Sequence, residues 1–310
     1  MKLGKLREDR PGLAVQRLAK VALVRGDRKL TDARMFFAKL RRGKGFVLRD
    51  VQGSKMWLDM SDKGLSSELY LRGIREAHAT AEFRKRLRPG QVVVDIGANI
   101  GYYALMEAKA AGEKGQVYAI EPVDENIALL ERNVEANGYE NMEVYNMAIG
   151  DKNCIQDLNL SKQSNLGTFC ENIDLDPSGK KKPVEVKTLD SFLQGKKKPD
   201  IVRMDVEGYE FEILKGMKET FGRADRLQLF IEVHADFLGK EKTSAMYKMM
   251  KGYGIRECHV IKESLDVLKF YSGVFSREVL PDQGKFDISI DEAIANERFH
   301  TGVYHLFAQK

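Results

Sequence analysis

Two apolar runs in the middle of the chain end in groups that can move protons. Ile201-Val-Arg-Met-Asp205 closes on a carboxylate, with Glu207 and Gly208 in the turn behind it, and Leu227-Gln-Leu-Phe-Ile-Glu232-Val-His234 closes on an acid and an imidazole. Side chains alternate along a strand, so Glu232 and His234 face one side, and adjacent strand ends can present Asp205, Glu207, Glu232 and His234 together. Such a cluster can take the proton of a hydroxyl, with Asp205 or His234 as the base. In a second mechanism Asp205, Glu232 and His234 ligate a divalent metal that acidifies the hydroxyl. The metal-free route is preferred, and no residue is assigned to a metal. A third possibility makes Glu207 and Glu232 braces for their loops, through an ion pair with Arg203 or by accepting the helix amides before Tyr209.

A second constellation lies upstream. Val92-Val-Val-Asp-Ile-Gly-Ala-Asn-Ile-Gly101 is a buried-strand pattern running into a glycine turn and a helix start, and Val117-Tyr-Ala-Ile-Glu121-Pro122 is a second strand ending in an acid. That pairing is how an open α/β sheet holds a ribose-bearing cofactor. A pyrophosphate is disfavoured, because Asn99 stands where a dinucleotide fingerprint needs its second glycine between Gly97 and Gly101, and Asp95 would repel phosphates. The same carboxylate suits the ammonium and sulfonium of S-adenosylmethionine. Glu121 can accept two hydrogen bonds from a ribose diol.

At these residues the chain resembles the S-adenosylmethionine-dependent methyltransferases and, within them, the FkbM-type O-methyltransferases. The matching stretches are Asp95-Ile-Gly-Ala-Asn-Ile-Gly-Tyr-Tyr103, Glu121-Pro122, Asn146-Met-Ala-Ile-Gly-Asp151, Thr188-Leu-Asp190, Met204-Asp-Val-Glu-Gly-Tyr-Glu210 and Ile231-Glu-Val-His234, in the family's order over roughly residues 70 to 260. The resemblance implies a Rossmann-like class I methyltransferase fold with a mostly parallel seven-stranded sheet, S-adenosylmethionine as methyl donor and S-adenosylhomocysteine as product. It implies cofactor contacts for Asp95, Gly97, Asn99, Gly101, Glu121, Pro122 and Asp205. It also sets Ala148 and Ile149 against the adenine, Asn146 at its polar edge, and Arg72-Gly-Ile-Arg75-Glu76, with Glu76 as the contact, where the chain passes over the methionyl end. The acceptor is a hydroxyl, of a sugar, glycolipid or related metabolite, or alternatively of an RNA ribose. A base N-methyltransferase would show an Asn/Asp-Pro-Pro-aromatic turn where this chain has Asp205-Val-Glu-Gly.

The elements that must position these residues alternate as an α/β protein requires. Strands are expected near 91–96, 116–121, 142–147, 199–205, 226–233, 255–261 and 302–308, and helices near 101–111, 124–137, 189–194, 209–221 and 241–253. Ligands in such sheets lie beyond the carboxyl ends of the strands, where both constellations fall. Ahead of them, Phe46-Val-Leu and Met56-Trp-Leu flank a hairpin turn, and Ser66 to Leu87 has helical composition and is expected to lid the pocket before Pro89-Gly90 breaks it. Ser161 to Pro183 reads as an exposed hairpin or loop and Asp282 to Glu292 as a loop. His78, His259, His300 and His305 are expected to serve packing.

Three domains follow: a basic arm (1–45), a hairpin with a lid helix (46–90) and a catalytic domain (91–310). Residues 1–44 hold fourteen Lys or Arg against four Asp or Glu, +10 of a whole-chain charge of +5, so the remainder carries −5. Val15, Leu18, Ala19, Ala22 and Leu23, and again Ala33, Phe36, Phe37 and Leu40, recur at helical spacing and suggest two short amphipathic helices. The arm either packs on the catalytic domain or a homodimer partner, or attracts a polyanion such as RNA, a nucleotide-linked sugar or a lipid headgroup. A cofactor-binding scaffold without catalysis, recruiting nucleic acid by the arm, is the competing function. No stretch has a membrane span's apolar length, and the start of the chain is too charged for a signal peptide, so the expected location is the cytoplasm. Cys154, Cys170 and Cys258 are widely spaced and expected to be reduced thiols.

Overall fold

The computed structural model describes residues 45–62, 64–161, 167–170, 180–262 and 284–310. The arm, with its two expected helices, lies outside the described residues.

The sheet is built from short apolar runs long enough for strands and too short for helices. Val92–Ile96 (β3) is buried along its whole length. Gln116–Ile120 (β4), Met142–Tyr145 (β5), Ile201–Met204 (β10) and Gln228–His234 (β11) run parallel to it, in the order β11-β10-β3-β4-β5. Val303–Gln309 (β14) inserts antiparallel between β11 and Glu257–Lys262 (β12). These are the seven expected strands. An eighth, Gly284–Ser289 (β13), pairs antiparallel with the outer edge of β12. It corrects the loop expected over Asp282 to Glu292: Ile288 turns into the core while Lys285, Asp287 and Ser289 turn out, too short an alternation to outweigh the polar composition.

Period-two alternation sorts the strands into two faces. Val92, Val94, Ile96, Val202, Met204, Leu229, Ile231 and Val233 pack against the late helices. Val93, Ile201, Phe230 and Phe307 point the other way, into a core with the hairpin and the helices Leu65–Arg72 (α1), Ala77–Arg84 (α2) and Tyr102–Ala111 (α3). Asp95, Arg203, Asp205, Glu232 and His234 fall on this second face by the same alternation, which concentrates the polar residues at one end of it.

The hairpin is present as Phe46–Val51 (β1) and Ser54–Asp59 (β2) and packs on Asp124–Asn137 (α4). The single helix expected from Ser66 to Leu87 is two, because Gly73 (φ +67°) closes α1 and Glu76 (φ +47°) opens α2 in the left-handed region. Likewise the helix expected at 209–221 divides into Glu210–Lys215 (α6) and Lys218–Arg223 (α7). At the break a Cβ on Gly216 would stand 2.0 Å from the Gly150 carbonyl oxygen. The helix expected from 241 starts earlier, at Ala235, and runs to Gly252 (α8), with Gly239 non-helical.

A second sheet stands beside the first. Ala148–Gly150 (β6), Cys154–Leu160 (β7), Gly167–Thr168 (β8) and Lys181–Thr188 (β9) join in the order β6-β9-β7-β8, and Leu189–Phe192 (α5) follows. Where it is described, the segment expected as an exposed hairpin or loop holds strand at both ends, and Leu158, Val184 and Val186 close a small core with Val123 and Ala148. Among the described residues no helix is long and apolar enough to cross a membrane. None of the three cysteines forms a disulfide.

Candidate active site

Strand order reverses at β3, between β4 on one side and β10 on the other, and a cleft of about 920 Å³, counted out to open solvent, lies there. Its walls come from the ends of β3, β4 and β10 and from β6 to β8.

The turn after β3 is built by backbone shape. Gly97, Asn99 and Gly101 all have positive φ (80°, 51° and 96°), and Asn is among the few side-chain-bearing residues that accept this region readily. A Cβ on Gly97 would lie 2.0 Å from the Asp205 carbonyl oxygen, so only glycine lets the turn pass under β10. Glu121 ends β4 and is fixed before any ligand arrives. One of its oxygens accepts the Asn99 N–H at 2.9 Å, and the other accepts the Val123 N–H at 3.0 Å and Asn126 Nδ2 at 3.1 Å. Burial nevertheless pushes its pKa up to about 6. Ile96, Ile120, Val123, Met147, Ala148, Ile149 and Leu158 make an apolar slot beside it, edged by Phe169 and Tyr209.

At the other end of the cleft the acids collect. Arg203 and Asp95 are register partners on β10 and β3, and the guanidinium spans two carboxylates, Asp95 at 2.8 Å and Asp205 at 3.0 Å. Burial works against a charged Asp205, but Arg203, then Arg75 and His234, outweigh it and hold its pKa below the usual carboxylate range. His234 is buried, with Nδ1 at 2.8 Å from Glu210, and with Nε2 at 3.2 Å from Glu207 and 3.9 Å from Glu232. Burial opposes its charge too, yet these carboxylates raise its pKa well above the ordinary histidine value. The acids left without a full counter-charge move the other way. Burial, with Asp205 beside them, pushes Glu207 up to about 7 and Glu232 up to about 8.

A second knot sits behind. Arg75 lines the cleft, hydrogen-bonds Glu76 through Nε and reaches Glu232 at 3.8 Å. Glu76 also accepts from the Tyr103 hydroxyl at 2.9 Å and meets His305 Nε2 at 3.0 Å. Ligand-capable atoms of Asp205, Glu207 and His234 lie within 4.8 Å of one another, as do those of Glu76, Glu232 and His305. Asp205 and Glu76 already carry arginine partners in these groups.

Of the residues expected at the site, Gly97, Asn99, Glu121, Pro122, Ala148, Ile149 and Asp205 line the cleft. Asp95 does not: it is fully buried beneath the turn as the partner of Arg203, because alternation on β3 points it into the protein. Gly101 serves packing, where a Cβ would meet Leu130 at 2.6 Å. Asn146 faces outward and donates to Asp124 at 2.6 Å. Glu76 stands one contact back, behind Arg75. Glu232 and His234 gather at the acid end as their spacing predicts, but the brace expected between Arg203 and Glu207 or Glu232 is not formed. Arg75, in the stretch the resemblance sets over the methionyl end, lines the cleft, whereas Met147, Leu158, Phe169 and Tyr209 were not read from the sequence as cleft residues. His305, expected to serve packing, is buried behind the cleft and meets Glu76 at 3.0 Å, a place set by its register opposite Glu232.

A mostly parallel sheet whose strand order turns at β3, with a glycine turn and an acid at neighbouring strand ends, is the arrangement by which an open α/β sheet holds a ribose-bearing cofactor. The methyltransferase FkbM domain matches residues 95–257, more than half of the 310, and the chain belongs to that family. Among curated proteins, the protein-L-isoaspartate O-methyltransferase of Methanococcoides burtonii is 37% identical over 59 residues, 19% of this chain and 29% of that protein. Protein-L-isoaspartate O-methyltransferase 1 of Archaeoglobus fulgidus is 40% identical over 58 residues, 19% of this chain and 27% of that protein. The chain thus spans less than a third of the length of the curated relatives it matches. Among solved structures, a SAM-dependent methyltransferase of Aquifex aeolicus aligns at TM-score 0.40 and 17% identity, over 78% of this chain and 92% of that one. A SAM-dependent O-methyltransferase of Thermotoga maritima aligns at TM-score 0.41 and 15% identity, over 87% and 79%.

Proposed function

We propose that this chain transfers a methyl group from S-adenosylmethionine to a hydroxyl, of a sugar, glycolipid or related metabolite. The observation that carries the proposal is the division of the cleft: a preorganised carboxylate beside an apolar slot at one end, and an acid and imidazole cluster at the other. The Glu121 carboxylate uses three of its roughly four acceptor sites within the protein, and the oxygen that holds the Asn99 N–H keeps one for a ribose hydroxyl. The cleft wall carries Glu121, Asp205 and Glu207 against the single cation Arg75, a balance suited to a positively charged ligand and hostile to a pyrophosphate. When bound, S-adenosylmethionine supplies a methyl carbon activated by a sulfonium.

A neutral hydroxyl is a weak nucleophile, so the acid cluster matters for removing its proton. The Asp205, Glu232 and His234 set identified from sequence divides by charge. Asp205, held ionised by Arg203, is suited to steering and to stabilising positive charge, and Glu232 to holding a proton near neutral pH. Arg75, Arg203 and His234 offset these acids in part, which supports the metal-free route.

A tritiated-methyl transfer screen over glycan, lipid and RNA fractions tests the proposal. Label in a glycan or lipid fraction supports it, and retained cofactor binding with no label in any fraction would leave a non-catalytic scaffold. An RNA ribose 2′-hydroxyl is the second reading, favoured by the +10 charge of residues 1–44. It expects salt-sensitive RNA retention that deletion of those residues abolishes; no retention by the intact chain removes it. A cytoplasmic location belongs to this proposal and is consistent with three cysteines outside any disulfide.

A further inference from the structure

We propose that Glu207 is the group that takes the acceptor's proton, with Glu210 as the positioning residue that acts on it through His234; this rests on the hydroxyl-methylating reading above. Sequence spacing favours Asp205 or His234 for this task, and the geometry moves the assignment. Asp205 is committed to Arg203 at 3.0 Å and is held as a weak base. His234 is only 4% exposed, and both its ring nitrogens face carboxylates, so it has no lone pair to offer a substrate. Glu207 lines the cleft.

The way the turn is held points to the same residue. Glu207 sits at φ +50°, a strained conformation for a side-chain-bearing residue, and such strain collects at functional sites. Two hydrogen bonds hold it there: Thr168 Oγ1 donates to the Glu207 carbonyl at 2.7 Å, and the next N–H, of Gly208, donates to Glu210 Oε1 at 3.1 Å. That same Glu210 oxygen meets His234 Nδ1 at 2.8 Å. A fully buried carboxylate that accepts from Gly208 makes Nδ1 a donor, and this aims Nε2 at Glu207, 3.2 Å away. Phe237 stacks on the imidazole at 5.7 Å and 8° and fixes its plane. The order carboxylate, imidazole, carboxylate follows orientation logic familiar from other proton-transfer sites, but the outer acid rather than the ring faces the substrate.

The step balances. The acceptor O–H bond breaks with its proton going to a Glu207 oxygen, as the acceptor oxygen forms its bond to the methyl carbon. The electron pair of the breaking C–S bond stays on sulfur as a neutral thioether, so one negative and one positive charge vanish together. His234, Asp205, Arg75 and Glu210 are the charged groups that face Glu207, and with burial they leave its pKa at about 7. Ionised Glu207 is therefore gained as pH rises through neutrality, and the rate should rise with it.

The test compares wild type, Glu207→Gln, Glu210→Gln and Glu210→Asp in tritiated-methyl transfer to total glycan and lipid extract, with S-adenosylhomocysteine affinity as the check of folding. Glu207→Gln should lose roughly 10²-fold or more in kcat, the range of general-base removal, and keep S-adenosylhomocysteine affinity. Glu210→Gln should lower kcat with little change in KM and move the midpoint of the pH–rate profile, while Glu210→Asp restores part of both. Nitrogen-15 NMR of His234, which needs no turnover, should show Nδ1 protonated in wild type and altered in Glu210→Gln. Wild-type rates and pH profile in Glu207→Gln would overturn the assignment, as would activity lost to a chelator and restored by Mg²⁺ or Mn²⁺. Absence of transfer by wild type alongside the expected NMR signature would instead refute the glycan and lipid acceptors of the reading above.

Discussion

Arg203 is the residue on which the acid end of the cleft depends. It is 4% exposed, bridges Asp95 and Asp205, donates to the Gly97 carbonyl at 3.2 Å and lies over the Tyr103 ring at 4.3 Å. Removing one partner from a buried ion pair leaves the other charge uncompensated, which typically costs about 3–5 kcal/mol. Arg203→Met is therefore expected to destabilise the protein by that order, read as a lower urea midpoint; an unchanged midpoint would mean that Asp95 and Asp205 shed their charge at no cost. Glu121 is proposed to act on the ligand instead. Glu121→Ala is expected to weaken S-adenosylhomocysteine binding several-fold or more by calorimetry, and equal affinity in the two proteins would remove the ribose contact.

Among the elements, the hairpin β1–β2 is bound to the turn after β3 by one side chain. Asn133 of α4 accepts the Trp57 N–H at 2.6 Å and donates to the Ile100 carbonyl at 2.9 Å, with no exposure to solvent. It ties the hairpin, the helix and the turn after β3 at a single point, and Arg132 beside it covers the Trp57 ring at 3.7 Å. Asn133→Ala strands the buried Ile100 carbonyl and the part-buried Trp57 N–H, so a loss of roughly 1–3 kcal/mol is expected, together with weaker S-adenosylhomocysteine binding because Ile100 lies in the turn proposed to hold that ligand. Hydrogen exchange should show both segments less protected. Protection lost in the hairpin alone would separate the two effects and contradict the coupling.

At the scale of the molecule, the clustered acids should govern how stability varies with pH. Glu121, Glu207 and Glu232 have folded-state pKa values of about 6, 7 and 8, above the unfolded glutamate value of roughly 4.3. The folded state therefore binds more protons than the unfolded state between about pH 4.3 and pH 8, and stability falls as pH rises through that window. His234, raised by its acid partners, contributes in the same direction, since its stabilisation is lost as pH climbs past its folded value. Glu76 and Asp205, held low, oppose this only in acid, where their stabilisation is lost. The ligand-free protein should have a Tm that declines from pH 5.5 to 8.5, and Glu232→Gln should flatten the upper part. S-adenosylmethionine, as a cation, should stabilise more at the alkaline end. A Tm that climbs over this range would show that the acids are compensated elsewhere.

The amino-acid sequence by itself determined the alternating α/β architecture, the seven main strands, the turn at Gly97 and the acid Glu121. Each depends on local information: runs of β-branched residues, a glycine where φ must be positive, an acid at a strand end. The shared face of Glu232 and His234 was equally legible, because the period of a strand is fixed at two. Tertiary structure alone decided that Asp95 turns inward, since the side chain that claims it is Arg203, more than a hundred positions along and brought opposite by register. It also brought His305 to Glu76 and Leu158 to the cleft wall, through pairings of β14 with β11 and of β7 with β9. Which acid keeps its charge was undecided for the same reason: a pKa is set by burial and by neighbours across space, and sequence spacing describes only neighbours along the chain.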